Sequence, residues 1–398
     1  MDPEKLRKDF PVLGKGLTYL DSACMSLKPV QVIQAMNDYY ENFPACAGRS
    51  IHKLSQQVEE RRAEARQAIQ KFIGAKKPEE MVFTRNTTEG INLVANSLNL
   101  EKGDAVLTTD REHNSNLLPW QILQGRAGVE HRIVLSDNDF TFSMDSFRDM
   151  LNKDVKLVSM VQTSNLDGYS LPAKEIIKAA HDNGTLVLLD AAQAVPHHEI
   201  NVKKMDADFL AFSGHKMLGP TGTGALYVNE KHHDDMRPFM LGGETVEWTT
   251  YEEHKLLEPP ARFEAGLQNY AGEIGMAAAA EYLRKVGMDS IEKHERKLTM
   301  KLHDGLSSVE GLSFVGVQDP EKRGGITSFT VSGLPYHDIA MLLDSNHNIM
   351  VRSGQHCVHS WFSAQGIDGS VRASSYLYNT EEEADKFIDT LRKIIKLR

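Results

Sequence analysis

The chain has 398 residues, too many for one ordinary core, so its length predicts two or three domains. With 41% hydrophobic and 25% charged residues, it has the composition of a soluble globular protein. A formal net charge of -10 argues against a general nucleic-acid binder, which needs a basic face, and favours a small-molecule substrate.

Targeting and redox signals are weak in this sequence. The first residues are charged and contain no apolar signal core, and no later segment approaches the uncharged run of about 18 residues that a membrane helix needs. Cys24, Cys46 and Cys357 are widely spaced without a CxxC pair, which argues against a disulfide framework and a structural zinc site. We therefore expect a cytoplasmic protein with no metal and no membrane segment.

The first regular elements are predicted from about residue 81 onward. Short apolar runs alternate there with amphipathic stretches of helical length, which is typical of a largely parallel sheet covered by helices on both faces. Strands are predicted at residues 81–84, 105–108, 156–161, 186–189 and 209–212. Helices are predicted at residues 89–98, 116–125 and 173–183.

The pattern changes after Gly266. Helices are predicted at residues 276–286 and from there to about residue 309, followed by a strand at residues 326–331 and a charged helix from Glu381. We interpret this part as a smaller α/β domain. The predicted division is a large domain of residues 16–266 and a small domain of residues 1–15 and 267–398.

Polar clusters follow the predicted strands of the large sheet. In such sheets the ligand crevice lies beyond the carboxyl ends of the strands. Five clusters are expected to meet there, formed by Thr87 with Thr88, His113, Asn165, Asp190 with Gln193, and residues 213–216.

Lys216 and Asp190 are the strongest candidates for chemistry. Lys216 follows a buried strand through the turn Ser213-Gly-His215-Lys216, and partial desolvation there frees a lysine amine to form a Schiff base. Alone, it would more often be a solvated loop residue. Asp190 ends another apolar strand, where a carboxylate can keep a pyridinium nitrogen protonated; alone, it would more often cap a helix.

Other strand-end residues can hold the rest of a cofactor. Thr87 and Thr88 place hydroxyls and amides at a helix start, which is a phosphate cradle or an ordinary cap, and Ser213 and His215 can add donors. His113 can lie over an aromatic ring and shuttle protons, or be a surface histidine. Asn165 can bind a ring oxygen, or be a turn residue before Asp-Gly.

A thiol and two guanidinium groups lie close together near the C-terminus. Arg372 can hold a carboxylate through a bidentate pair. Cys357 follows Arg352 in a polar segment and can act as a thiolate nucleophile if cations lie nearby. A small buried core residue is the alternative, which the polar surroundings of Cys357 disfavour.

Taken together, these segments resemble the cysteine desulfurases of the class V aminotransferase fold, and the SufS-like branch most closely. The segments are 84–95 (TRNTTEGINLVA), 190–194 (DAAQA), 212–224 (FSGHKMLGPTGTG), 262–266 (RFEAG) and 352–357 (RSGQHC). The resemblance extends over nearly the whole chain. It implies a fold-type I enzyme dependent on pyridoxal 5'-phosphate (PLP), with a mainly parallel seven-stranded sheet between helices and usually a homodimer.

The resemblance also implies a role for each candidate. Lys216 would carry PLP, His113 would stack on its ring, Asp190 would face the pyridinium nitrogen and Gln193 the ring oxygen. Thr88, Ser213 and His215 would bind the phosphate near the Thr87 amide, and Asn165 and Arg372 would hold the substrate. L-Cysteine would become L-alanine, leaving a persulfide on Cys357 that an acceptor or scaffold protein of iron-sulfur assembly discharges.

Several positions depart from the family pattern, among them residues 358–361 (VHSW), which differ from the usual sequence after the cysteine. Leu267 stands where a threonine commonly reaches the phosphate of the neighbouring subunit, Gln355 replaces a histidine, and Cys46 lies unexpectedly in the segment that resembles the N-terminal active-site loop. A selenocysteine lyase, another class V lyase or aminotransferase, and a non-catalytic scaffold of the same fold are the alternatives.

Overall fold

The computed structural model describes residues 1–396. Its α-helices in chain order are α1 (Pro3–Leu6), α2 (Val30–Asn42), α3 (Lys53–Phe72), α4 (Thr87–Ser97), α5 (Leu118–Ala127), α6 (Met144–Met150), α7 (Ala173–Asp182), α8 (Val202–Met205), α9 (Tyr270–Val286), α10 (Met288–Ser307), α11 (Tyr336–His347), α12 (His359–Gln365) and α13 (Glu381–Lys396). No helix among residues 1–396 combines the length and the apolar character needed to cross a membrane.

The strands form one large sheet, one smaller sheet and two short pairs. In chain order they are β1 (Thr18–Tyr19), β2 (Met81–Thr84), β3 (Ala105–Thr109), β4 (Glu130–Val134), β5 (Val155–Val161), β6 (Leu186–Asp190), β7 (Phe209–Ser213), β8 (Gly224–Val228), β9 (Val246–Thr249), β10 (His254–Leu256), β11 (Leu312–Phe314), β12 (Ile326–Val331), β13 (Ile349–Met350), β14 (Arg352–Gly354) and β15 (Ser370–Ser374).

The large sheet has seven strands in the order β2-β8-β7-β6-β5-β3-β4. All run parallel except β8, which is antiparallel to both of its neighbours. Helices cover both faces, so the central strands β5, β6 and β7 are almost entirely buried, as their continuous apolar sequences require. The predicted fold class, an α/β fold around a mainly parallel seven-stranded sheet, is confirmed.

The smaller sheet is antiparallel, with the order β11-β12-β15-β14. Its apolar side chains pack with those of α10, α11 and α13 in a core that includes Leu298, Phe329, Leu343 and Phe387. Strand β1 pairs in parallel with β13, so the N-terminal segment joins residues near the C-terminus. The predicted domain boundaries remain a prediction.

A buried carboxylate fixes α3 against the strand that leads to α4. The side chain of Glu264 is 1% exposed and forms ion pairs with Arg62 and Arg66 of α3 at 2.5 and 2.7 Å. It also accepts the backbone N–H of Phe83 in β2 at 2.7 Å. Removing one partner from such a pair leaves an uncompensated charge, which costs about 3–5 kcal/mol. The start of α4 is thereby held in place.

Candidate active site

A cavity of about 170 Å³ lies where β5, β6 and β7 end. It contains every residue that the sequence singled out for a site: Thr87, Thr88, His113, Asn165, Asp190, Gln193, Ser213, His215, Lys216, Cys357 and Arg372. Residues from the smaller sheet and from the N-terminal segment complete its wall. The clusters at the strand ends therefore meet in one cavity, and the loop that carries Cys357 forms another part of its wall.

Lys216 and Asp190 form the chemical centre of the cavity. Lys216 ends the 3₁₀ turn Gly214–Lys216 directly after β7, and the accessible part of its side chain faces the cavity. Desolvation lowers the pKa of Lys216, against the opposing effect of the Asp190 charge. Burial raises the pKa of Asp190, whose carboxylate accepts the Ala192 N–H at 3.0 Å. One cavity thus contains an amine and a carboxyl group whose charged forms are both disfavoured by burial.

One end of the cavity is the N-terminus of α4, which carries a positive partial charge suited to an anion. Asn86 caps this helix by accepting the Glu89 N–H at 3.0 Å. The hydroxyls of Thr87 and Ser213 lie 2.7 Å apart, and the Thr87 amide donates to Ser213 Oγ at 2.9 Å. Thr88 Oγ1 lies 2.7 Å from the hydroxyl of Ser115. The hydroxyls of this end are therefore positioned before any ligand binds.

His113 lies in the cavity wall as a neutral imidazole. Its Nδ1 accepts the Ser115 N–H at 3.1 Å, which leaves the proton on Nε2. Burial, together with the positive charge of Lys216, lowers the pKa of His113 to about 3. At neutral pH the ring can therefore stack on a flat ligand without adding positive charge.

Two buried amide side chains that line the cavity each have an oxygen without a hydrogen-bond partner among the described residues. Gln193 Nε2 donates to the Ala23 carbonyl at 2.7 Å, and Asn165 Nδ2 donates to the His356 carbonyl at 2.7 Å. Within residues 1–396 no group bonds to Gln193 Oε1 or Asn165 Oδ1. Buried oxygens are rarely left unpaired, so this pair indicates a polar ligand.

Arg372 is the cation on the substrate side of the cavity. Its side chain is 1% exposed, and it donates to the Asn165 carbonyl at 2.9 Å and lies 3.5 Å from Asp21. Its Nε is buried with no partner among the described residues. The guanidinium group thus keeps donor capacity for a carboxylate.

The Cys357 loop is held against the large sheet by its backbone. The Asn114 N–H donates to the Cys357 carbonyl at 2.8 Å, beside His113. His356 and Cys357 have φ values of 51° and 62°, a left-handed conformation that costs energy in non-glycine residues and is concentrated at functional sites. The Cys357 thiol lines the cavity that contains Lys216.

Among the cavity residues that were not chosen as site residues from the sequence, three have ionisable side chains: Cys24, Arg352 and His356. Arg352 NH2 lies 3.6 Å from Cys357 Sγ. The sequence could have indicated this contact, because both residues belong to the segment 352–357. His356 immediately precedes the thiol. Cys24 gave no such signal. Cys46 is exposed and does not line the cavity, and Leu267 is 67% exposed.

The donor set of the cavity fits PLP. Lys216 suits its aldehyde, Asp190 its pyridinium nitrogen, the start of α4 its phosphate and the neutral His113 the face of its ring. The unpartnered oxygens of Gln193 and Asn165 offer further hydrogen bonds to a polar ligand. Together with the seven-stranded sheet, this arrangement defines the class of fold-type I PLP-dependent enzymes.

Comparison with known proteins places the chain within this class. The model of the aminotransferase class-V family matches residues 18–387, and the chain belongs to that family. A probable cysteine desulfurase of Pyrococcus abyssi is 42% identical over 99% of this chain and 98% of its own length. A cysteine desulfurase of Escherichia coli is 39% identical over the same shares.

A solved structure agrees with these sequence comparisons. The apo structure of the cysteine desulfurase from Thermococcus onnurineus NA1 has a TM-score of 0.96 and 41% identity, covering 100% of this chain and 99% of that one. The family predicted from the sequence is therefore confirmed, whereas the SufS-like branch remains a prediction.

Proposed function

We propose that the chain is a PLP-dependent cysteine desulfurase that converts L-cysteine to L-alanine and receives the sulfur on Cys357. The observation that carries this proposal is the presence of a nucleophilic lysine and a cysteine in one cavity, with Arg372 available for the substrate carboxylate. The names of the full-length relatives support the same activity.

Residues of the cavity have separate roles in binding the substrate and in moving its protons. Arg372 binds the substrate carboxylate, and Asn165, held by the loop that carries Cys357, orients the substrate beside it. PLP, when bound, withdraws electrons from the substrate Cα. Lys216, with its lowered pKa, accepts the proton from Cα and returns a proton to the product.

Cys357 carries out the sulfur transfer. Its thiolate attacks the substrate sulfur, so that an S–S bond forms while the Cβ–S bond breaks. The electron pair of the broken bond ends in a new C–H bond of alanine, and the sulfur stays on Cys357 as a persulfide. Arg352, 3.6 Å from Cys357 Sγ, stabilises negative charge on both the attacking thiol and the persulfide.

The setting of this reaction follows from the resemblance described above. The persulfide would be discharged to a thiol or to a sulfur-acceptor protein of iron-sulfur assembly, by a homodimer in the cytoplasm. Cys357 is half-buried, which supports discharge of the persulfide, because the sulfur stays within reach of an incoming thiol.

The test measures alanine and sulfide released from L-cysteine in the presence of a reductant. We expect both products from wild type, neither from Lys216→Ala, and no sulfide from Cys357→Ala. Cys46→Ala is the matched control and should behave as wild type, because Cys46 lies outside the cavity. Equal rates for Cys357→Ala and wild type would exclude the persulfide mechanism and indicate a lyase or an aminotransferase.

A further inference from the structure

A second cysteine lies in the cavity, and the reaction proposed above does not use it. Cys24 shares the cavity with Cys357 and Lys216. Arg352 connects the two thiols, since its NH1 donates to Cys24 Sγ at 2.9 Å while its NH2 lies 3.6 Å from Cys357 Sγ. The two sulfurs therefore contact neighbouring nitrogens of one guanidinium group.

The backbone around Cys24 is fixed from both sheets. The Cys24 N–H donates to the Asp21 carbonyl at 3.1 Å. The adjacent Ala23 donates its N–H to Ser374 Oγ of β15 at 2.9 Å, and its carbonyl accepts from Gln193 after β6 at 2.7 Å. The thiol is half-buried, unlike an ordinary core cysteine, and it accepts a hydrogen bond from the Arg352 guanidinium group. The position of Cys24 is therefore determined by contacts with β15 and Gln193, which also contribute to the active site.

A shared cation suits sulfur exchange between two thiols. Exchange proceeds when a thiolate attacks a sulfur–sulfur bond and a second thiolate leaves. Positive charge beside both sulfurs stabilises the attacking and the leaving thiolate alike. Arg352 lies beside both Cys24 and Cys357, and we regard it as a positioning residue for these two thiols.

We propose that Cys24 is a second sulfur acceptor, which takes the terminal sulfur from the persulfide on Cys357. This inference rests on the proposed desulfurase activity. The Cys24 thiolate attacks the terminal sulfur, a bond from Cys24 Sγ to that sulfur forms, and the bond from Cys357 Sγ to it breaks. The electron pair of the broken bond leaves on Cys357 as a thiolate, so the step needs no oxidant or reductant.

The relay has a stoichiometric consequence. Once Cys357 is a free thiolate again, it can take sulfur from a second substrate molecule before any external acceptor arrives. The chain then holds two sulfur atoms, one on each cysteine. When no external thiol discharges the persulfide, a chain with Cys357 as its sole acceptor stops after one sulfur atom.

The experiment counts these sulfur atoms in the holoenzyme. Protein is mixed anaerobically with two molecules of L-cysteine per chain and no other thiol, quenched rapidly and alkylated, and alanine per chain is measured. Mass spectrometry of the peptides then locates the added sulfur. We expect two alanine molecules per chain from wild type and from the control Cys46→Ala, and one from Cys24→Ala and Cys24→Ser. The serine variant keeps a polar group for Arg352.

Three results would overturn the relay. In the first, wild type yields one alanine per chain and carries sulfur on Cys357 alone. In the second, sulfur reaches Cys24 in Cys357→Ala, which would make Cys24 a direct acceptor from the substrate. In the third, wild type forms neither alanine nor a Cys357 persulfide, and the proposed desulfurase activity fails as well. The persulfide on the Cys357 peptide separates the first result from the third.

Discussion

Three histidines around the cavity are kept neutral by the fold. Burial lowers the pKa of His113 to about 3 and that of His215 to about 4. His356 is buried as well, and its pKa falls to about 2 through desolvation and the charges of Arg372 and Arg352. Unfolded histidine binds a proton below about pH 6.5. The stability that these residues contribute above that pH is therefore lost as the pH falls below it.

A substitution of His356 tests this pH dependence. Below pH 6.5, each such histidine lowers the free energy of unfolding by about 1.4 kcal/mol more for every pH unit of acidification. We expect His356→Asn to be less stable at pH 7, because the contact with Ser370 Oγ at 2.8 Å is lost. Its thermal midpoint should then fall less than that of wild type between pH 7 and pH 5. Differential scanning calorimetry at both values measures this change.

The matched control for this test is His254→Asn on the exposed strand β10. It should keep the wild-type dependence of the thermal midpoint on pH. If His356→Asn shows the same fall as wild type and the control, the neutral state of buried His356 does not contribute to acid sensitivity.

At the level of single residues, the sequence predicted the positions that follow directly from strand ends. Asp190 and Ser213 are the last residues of β6 and β7, and Lys216 follows within one turn. Cys24 was not predicted as a site residue because its place depends on tertiary structure alone. It lies 328 positions from Arg352, and no local pattern in the sequence indicates their contact.

At the level of elements, the start of α4 connects stability with cofactor binding. Loss of a helix cap costs about 0.5–2 kcal/mol. Asn86→Ala removes the acceptor of the Glu89 N–H and disturbs the amides beside the proposed phosphate site. We therefore expect lower stability and a several-fold weaker affinity for PLP. Titration of the apoprotein with PLP, followed by absorbance, measures the affinity.

The control for this prediction is another capped helix. Ser143 caps α6, away from the cavity, by accepting the Ser146 N–H at 3.4 Å. Ser143→Ala should reduce stability without changing the affinity for PLP. Equal affinities for Asn86→Ala and Ser143→Ala would show that the α4 cap has no part in phosphate binding.

Most strongly apolar strands of the large sheet were predicted well, but the fully buried strand β8 was missed, as were several polar or edge elements. The predicted strands at residues 81–84 and 326–331 match β2 and β12, and the other predicted strands differ by a residue at most at either end. Strand β4 was missed because it lies at the sheet edge, where most of its side chains are not buried. Helices α2 and α3 were missed because few of their residues are buried, which leaves a weak apolar period.

At the level of the whole molecule, an exposed apolar surface supports the expected homodimer. Leu241, Trp248 and Tyr251, which lie in or close in sequence to the β9–β10 pair, are exposed, and so is Leu267. Contiguous exposed apolar groups mark interaction surfaces in soluble proteins. We therefore expect the chain of 44.5 kDa to sediment at twice its mass, with this segment in the interface.

Charge substitutions in this segment test the interface. Trp248→Glu combined with Tyr251→Glu should shift the protein toward the monomer in sedimentation equilibrium, because the interface would have to bury two carboxylates. Met341→Glu is the control, since Met341 is also an exposed apolar residue but lies on α11. A wild-type monomer, or equal dissociation by the control, would contradict this assignment.

The pairing of β1 with β13 also has a consequence for the order of folding. Thr18 pairs with Ile349, and Ser22 Oγ lies 2.7 Å from the Tyr378 hydroxyl, so the segment that carries Cys24 docks on residues that are synthesised much later than itself. Contacts between such distant positions form late, because closing a long loop costs entropy. The large sheet can assemble on the ribosome before the site exists. We therefore expect the active site to form only after residues 349–378 have been synthesised.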